Sequence, residues 1–421
     1  MPSADLARRA VVTGMGAVTP IGNDAETFLT NLYAGTPGGG PITTFDTTRH
    51  DVKIAAEVKG FDPSTTMDRK MIRRMSRFVH FGVAAGTEAV DRSGIDFAAM
   101  SPEQRDRVAV VVNTGGGGME QVIDGADTIR DKGPGQVSPF AIPALSGSMA
   151  AAQVSMKYGL TGPVITQVAA CASGVIVYQD ALRLIAMGEC DVVLAGGSEA
   201  PLLAMAFAAL ANMTALSKRN DDPEGASRPF DRTRDGFVYA EGAGIMVIES
   251  AEHAMARGAT ILAEVVGASL TADAYHMSAS EPSGRGAAMA MTNAMRQAGV
   301  APDEVDHIVA HGTSTWLNDV TETKAIKRAF GEQAYKVAIS APKSMVGHML
   351  GAAGAAAAIA AVGSIRDGVI APTINYREPD PECDLDYVPN VKREQRVDTA
   401  MINGFGFGGQ NAVAIFRRFE V

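Results

Sequence analysis

The chain has 421 residues, a formal net charge of −10, 46% hydrophobic and 20% charged residues and 45 glycines. That length exceeds what one hydrophobic core usually supports, so two packed halves of a Gly-rich α/β kind are expected rather than a fibrous or disordered chain. The acidic balance excludes a general nucleic-acid binder, whose affinity rests on surplus Lys and Arg at phosphates.

In chain order, the first strand is Ala10-Val11-Val12-Thr13-Gly14, reached without an apolar leader or a cleavage site. A Gly/Pro turn at 35–41 follows, then the basic segment 69–77, in which Arg69, Lys70, Arg73, Arg74 and Arg77 fall on one helix face by i,i+4 spacing. Val108 to Val112 predicts a strand opening into Asn113-Thr114-Gly115-Gly116-Gly117-Gly118. A phosphate loop is the rival reading there, but no GK[ST] follows. Further strands are predicted over 192–197 and 245–248, and the uncharged stretches 200–217 and 344–365 read as buried helices rather than membrane spans. Past the charged segment 249–257 a second series of β-rich runs begins, at 261–267, 307–310, 337–340 and 413–416. Two such series predict two similar halves, 1–255 and 256–421, and no short repeat period points to a solenoid.

The segment 162–174 reads as a strand, a small-residue turn and the start of a helix over 175–187, which puts Cys171 at an elbow. Unpaired N–H groups and the positive end of a helix dipole would there favour thiolate over thiol. Cys190 and Cys383 have no such elbow and read as small buried residues. With no CxxC spacing the three cysteines suggest neither a disulfide framework nor a zinc site, and a reducing cytoplasm is the natural setting. Val309-Ala310-His311-Gly312-Thr313-Ser314-Thr315 places a histidine at a strand end, where α/β sheets present reactive side chains. Lys343-Ser344-Met345-Val346-Gly347-His348 repeats that pattern. Each histidine alone has ordinary structural uses, but three such constellations in one chain point to a site.

These segments, with Arg228-Pro229-Phe230-Asp231 and Asn403-Gly404-Phe405-Gly406-Phe407-Gly408-Gly409, are similar to those of the 3-oxoacyl-(acyl-carrier-protein) synthase II family of condensing enzymes. The similarity runs from Arg9 to Phe416. It implies a thiolase-like α/β fold of two duplicated βαβ-type halves in a layered α/β/α/β/α core, and a homodimer. The implied activity is acyl transfer by decarboxylative condensation, with no metal or tightly bound cofactor and substrates carried on the phosphopantetheine arm of acyl carrier protein. Cys171 would hold the acyl group, and His311 and His348 would stabilise the enolate. Lys343 would order the site, the backbone N–H groups of Cys171 and Phe407 would form an oxyanion hole, and Phe405 and Phe407 would belong to a Gly-rich flap gating the acyl pocket. Thr313 and Thr315 match residues that bind the carrier's arm, His276 and Gly116 are further expected substrate-binding positions, and Arg69, Lys70, Arg73 and Arg74 match the carrier's docking surface.

Departures from the family pattern are Gly116, where a bulkier pocket residue is common, Ala357 for a buried Glu, Trp316 for a Pro and Ala240 for a Gly. A polyketide ketosynthase, a non-catalytic chain-length-factor-like subunit, a thiolase and a Cys-His protease are the competing readings. Retention of Cys171 opposes the second. The KSxxGH setting of His348 opposes the third, and the presence of a second histidine, which a protease does not need, opposes the fourth.

Overall fold

The computed structural model describes residues 6–420. Ten strands form its main sheet: β1 Ala10–Val18, β2 Val108–Asn113, β3 Val164–Ile165, β4 Val192–Glu199, β5 Gly242–Ser250, β6 Ala263–Ala272, β7 His307–Val309, β8 Ala338–Ser340, β9 Thr399–Gly406 and β10 Gln410–Arg417. Most are continuous Val/Ile/Ala/Gly runs buried on both faces, as strands covered by helices on each side require.

The strand order is β8-β7-β9-β10-β6-β1-β5-β4-β2-β3. Read from each edge inward, both halves follow one scheme, third, second, fourth, fifth, first. The pairings match too: the outer neighbours are parallel, and the fourth–fifth and fifth–first pairs antiparallel. A short antiparallel pairing of Ala10, Val11 and Val12 with Val265, Glu264 and Ala263 joins the halves.

Five helices define the layers: α1 Arg77–Ser93, α2 Ser173–Ala186, α3 Arg285–Ala298, α4 Trp316–Phe330 and α5 Ala353–Asp367. Helix α1 covers β1, β4 and β5 on one outer face, and α3 covers β6 and β10 on the other. Between them α2 and α5 touch each other and both sheet halves, which completes the expected α/β/α/β/α stack. The middle layer is built of small residues because the backbones nearly meet: a Cβ on Gly354 would stand 2.6 Å from the carbonyl carbon of Gly174. Such density leaves little room for any added methylene.

Three expectations need correction. The basic segment is not one helix face. Asp68 caps a four-residue helix, Arg69–Ile72, and the chain turns before Ser76 opens α1. Arg77, beyond the break, is held by Glu241 at 2.8 Å. The Gly-rich flap is a β9–β10 hairpin, with Phe405 inside the strand and Phe407 to Gly409 at its turn. The two uncharged stretches hold shorter helices: Lys343–Val346 and most of α5 are buried as expected, but in Ala204–Asn212 only Phe207 is, and among the described residues no helix is long and apolar enough to cross a membrane.

Candidate active site

Cys171 lies in a single 3-10 turn, Ala170–Ala172, that runs directly into α2. Ala170 just before it has φ of 47°, a left-handed conformation costly for a residue with a Cβ, and the Ser173 hydroxyl braces the turn by accepting the Ala169 N–H at 2.8 Å. This elbow aims the sulfur at the second half of the molecule. The sulfur and one ring nitrogen each of His311 and His348 lie within 4.8 Å of one another, all buried. His311 follows β7 and His348 follows the short helix Lys343–Val346, and their rings meet edge to face at 5.4 Å between centroids.

The electrostatics correct the expectation of an ionised sulfur. Burial pushes the Cys171 thiol up to about 12, against the pull of the Lys343 ammonium and of the backbone N–H groups of Phe407 and Cys171. Desolvation of a buried charge outweighs the helix start. The backbone N–H groups of Phe407 and Cys171 thus lie close enough to the sulfur to act on its charge. A Cβ on Gly406 would come within 3.2 Å of the Cys171 nitrogen, so that position needs glycine for the hairpin to approach.

Burial and the neighbouring Lys343 hold both imidazoles well below the ordinary histidine range, so they are neutral at pH 7. Lys343 itself is brought down to about 8 by burial. Its ammonium donates to the His311 carbonyl at 2.5 Å and lies 3.5 Å from His311 Nδ1. An ammonium has no lone pair, so Nδ1 is the acceptor and the ring proton sits on Nε2. Nδ1 of His348 is buried with no hydrogen-bond partner among the described residues.

Two buried carboxylates that the sequence reading missed hold the frame. Glu322 on α4 accepts the His311 and Gly312 N–H groups at 2.7 Å and the Asn403 amide at 3.0 Å. Glu199 at the end of β4 accepts from Gly115 N at 2.5 Å, Gly116 N at 3.0 Å, the Thr114 hydroxyl at 2.9 Å and Gly351 N at 3.0 Å, which ties the halves together beside His348. A charge at the end of the otherwise apolar and Gly-rich β4 could have flagged Glu199, whereas Glu322 sits among other polar and charged residues of α4 and carries no such signal.

A cavity of about 400 Å³ opens over the sulfur, lined by Cys171, both histidines, Thr313, Thr315, Phe405 and Phe407 among others. Gly116 does not line it. His276 is exposed outside it, and its Nδ1 accepts N–H bonds from Ser278 at 3.2 Å and Ala279 at 3.3 Å, two residues that do line it. Ala357 borders a void of about 10 Å³ beside Lys343, so no carboxylate reaches the ammonium from α5. Arg69, Lys70 and Arg73 are exposed, while Arg74 stacks on Phe140 with its guanidinium 4.0 Å from the ring centre.

Residues 7–254 match the model of the beta-ketoacyl synthase N-terminal domain, and residues 262–377 that of its C-terminal domain. A 3-oxoacyl-[acyl-carrier-protein] synthase 2 of Synechocystis sp. is 45% identical over 98% of this chain and 99% of its own. Among solved structures, the ishigamide ketosynthase/chain length factor superposes with a TM-score of 0.92 at 36% identity, covering 98% of this chain and all of its own. A type II polyketide acyl-carrier protein in complex with its ketosynthase bound to the hexaketide gives a TM-score of 0.88 at 32% identity, with the same coverage. Matched through both halves at that identity, the chain belongs to the beta-ketoacyl synthase family.

Proposed function

We propose that this chain is a beta-ketoacyl-(acyl-carrier-protein) synthase, an acyltransferase that lengthens fatty acyl chains by decarboxylative condensation at Cys171. The observation that carries the reading is a buried sulfur with two neutral imidazoles within 4.8 Å, at the wall of a cavity of about 400 Å³. The thiol attacks the acyl carbonyl of a carrier-bound thioester. The negative charge on oxygen is met by the N–H groups of Cys171 and Phe407, and the carrier's sulfur leaves with the proton that Cys171 gives up. A malonyl thioester then enters and its C–CO₂ bond breaks, leaving the electron pair as an enolate. His311 donates to the enolate oxygen through Nε2, the tautomer set by Lys343, and His348 donates beside it. The enolate carbon attacks the acyl-cysteine carbonyl, the C–S bond breaks and the sulfur takes up one proton.

Substrates arrive on the phosphopantetheine arm of acyl carrier protein, its acidic surface steered by Arg69, Lys70, Arg73 and Arg74, with Thr313, Thr315 and His276 toward the arm and Phe405 and Phe407 at the acyl pocket. The chain works as a cytoplasmic homodimer whose halves divide at residue 255, a division supported by their identical strand order. Fatty acyl rather than polyketide substrates are favoured because identity is 45% to the 3-oxoacyl synthase and 36% and 32% to the two ketosynthases above.

Cys171→Ala is expected to abolish condensation yet still decarboxylate malonyl carrier, whereas His311→Ala or His348→Ala cuts decarboxylation by about 10²–10³. Decarboxylation that survives in both histidine variants at the wild-type rate would contradict the assignment.

A further inference from the structure

The mouth of the cavity carries a feature that condensation at Cys171 does not itself require. Met213, Trp316 and Leu317 line the cavity, yet are 47%, 54% and 57% exposed. Three large apolar side chains left in water at the entrance of a reactive pocket mark a place where a ligand covers them. Trp316 is also the only tryptophan in the chain. Its backbone is fixed. It opens α4 directly after the capping residue Thr315, and its carbonyl accepts from Nη2 of Arg234 at 3.4 Å. The Arg234 side chain is fully buried and pinned by Asp380 at 2.6 Å and Asp319 at 3.4 Å. The indole therefore stands on a rigid support while about half of its surface stays exposed at the cavity, and little conformational entropy is lost when it is covered.

The rest of the entrance is polar. Thr313 and Thr315 share a hydrogen bond at 2.9 Å, and Ser278 and Ser280 also line the cavity. A passage with hydroxyls and an apolar cluster suits a ligand that alternates amides with hydrocarbon. The arm of a pantetheine thioester has this make-up: two amides, and a geminal dimethyl group farther from the sulfur. With the thioester at Cys171, the part of the arm remote from the sulfur has to leave past the mouth.

We propose that Trp316, with Leu317 and Met213, is a specificity-determining contact that packs on the geminal-dimethyl segment of the substrate's pantetheine arm. This rests on the reading of Cys171 as the acyl acceptor. It separates two substrates that deliver the same acyl group: a pantetheine thioester, which carries the dimethyl segment, and an N-acetylcysteamine thioester, which lacks it.

In the full-length enzyme, Trp316→Ala is expected to raise KM for the pantetheine thioester about fivefold with kcat held, and to leave both constants for the N-acetylcysteamine thioester unchanged. Trp316→Phe should restore most of the loss, and Leu317→Ala should show a smaller change of the same selectivity. Titrating the unmodified protein with pantetheine should shift the emission of its single tryptophan to shorter wavelength as the indole leaves water. Equal changes for both thioesters, no change for either, or an emission that stays constant while pantetheine binds would each overturn the contact. Failure of the underlying reading looks different: neither thioester would then acylate Cys171 in the unmodified protein, whatever the tryptophan reports.

Discussion

Cys171 rests between a large penalty and a smaller help. Burial raises its thiol to about 12, and the nearby Lys343 cation is the strongest opposing influence. Lys343 in turn sits at about 8, so its charge is mostly present at pH 7 and fades as pH rises through that value. Removing the cation must push the thiol still higher. Lys343→Met is therefore expected to slow iodoacetamide alkylation of Cys171 at pH 7 by tenfold or more, since an opposite charge at such range shifts a pKa by about 1–3 units. The difference should narrow above pH 8, where the unmodified lysine has lost its own charge. Alkylation rates across pH, read by mass, decide this, and equal rates at pH 7 would mean that the lysine only packs. At this scale the grouping of Cys171, His311 and His348 was legible because each lies in a local motif. The protonation state of the sulfur was not, because it depends on depth in a core that no single segment describes. Glu199 and Glu322 stayed hidden for a related reason: their partners are mainly backbone N–H groups, from loops distant in sequence for Glu199 and from the strand end ten and eleven residues earlier for Glu322, and no side-chain motif announces them.

Among the elements, β7, β8 and α5 are tied by a histidine that does not line the cavity over Cys171. His307 on β7 is buried, with Nδ1 3.0 Å from the Ser364 hydroxyl on α5 and Nε2 2.8 Å from the Ser340 hydroxyl on β8. Burial lowers it to about 3, below the value near 6.5 it regains on unfolding. The unfolded chain therefore takes up the proton first. Stability is complete above pH 6.5 and falls as pH drops toward 3, by roughly 4 kcal/mol for this one group. His307→Asn should flatten that part of the Tm-against-pH curve, and an acid limb of unchanged slope would assign the loss to other groups. The β-rich runs that end in small residues were visible in the sequence because strands buried on both faces are almost purely apolar. Strand β9 was not, because the Gly/Phe alternation of 404–407 resembles a loop until its hydrogen-bond partners, β7 and β10, are known. The basic segment misled in the opposite sense. Its charge spacing is helical, but Asp68 and Ser76 each start a helix, and two caps eight residues apart break the run.

Across the whole molecule, Cys171 comes from one half and both His311 and His348 from the other, and α2 and α5 hold the two together at the sheet seam. The exposed charges of Arg69, Lys70 and Arg73 stand out on a chain of net charge −10, which suits long-range steering of an acidic partner. Arg73→Glu combined with Arg74→Glu is expected to raise KM for carrier-bound acyl substrate by about tenfold or more and to steepen no other step. Alkylation of Cys171 by a small reagent should be unaffected, and carrier kinetics that do not change would place the docking surface elsewhere. The claim on which the rest depends is that the buried sulfur is the acyl acceptor. The most direct measurement is the intact mass of the protein after incubation with acyl carrier protein charged with one acyl chain. The account predicts one acyl addition per chain, located on the peptide containing Cys171 and missing from Cys171→Ala; an addition that persists in that variant, or that maps to Cys190 or Cys383, would contradict it.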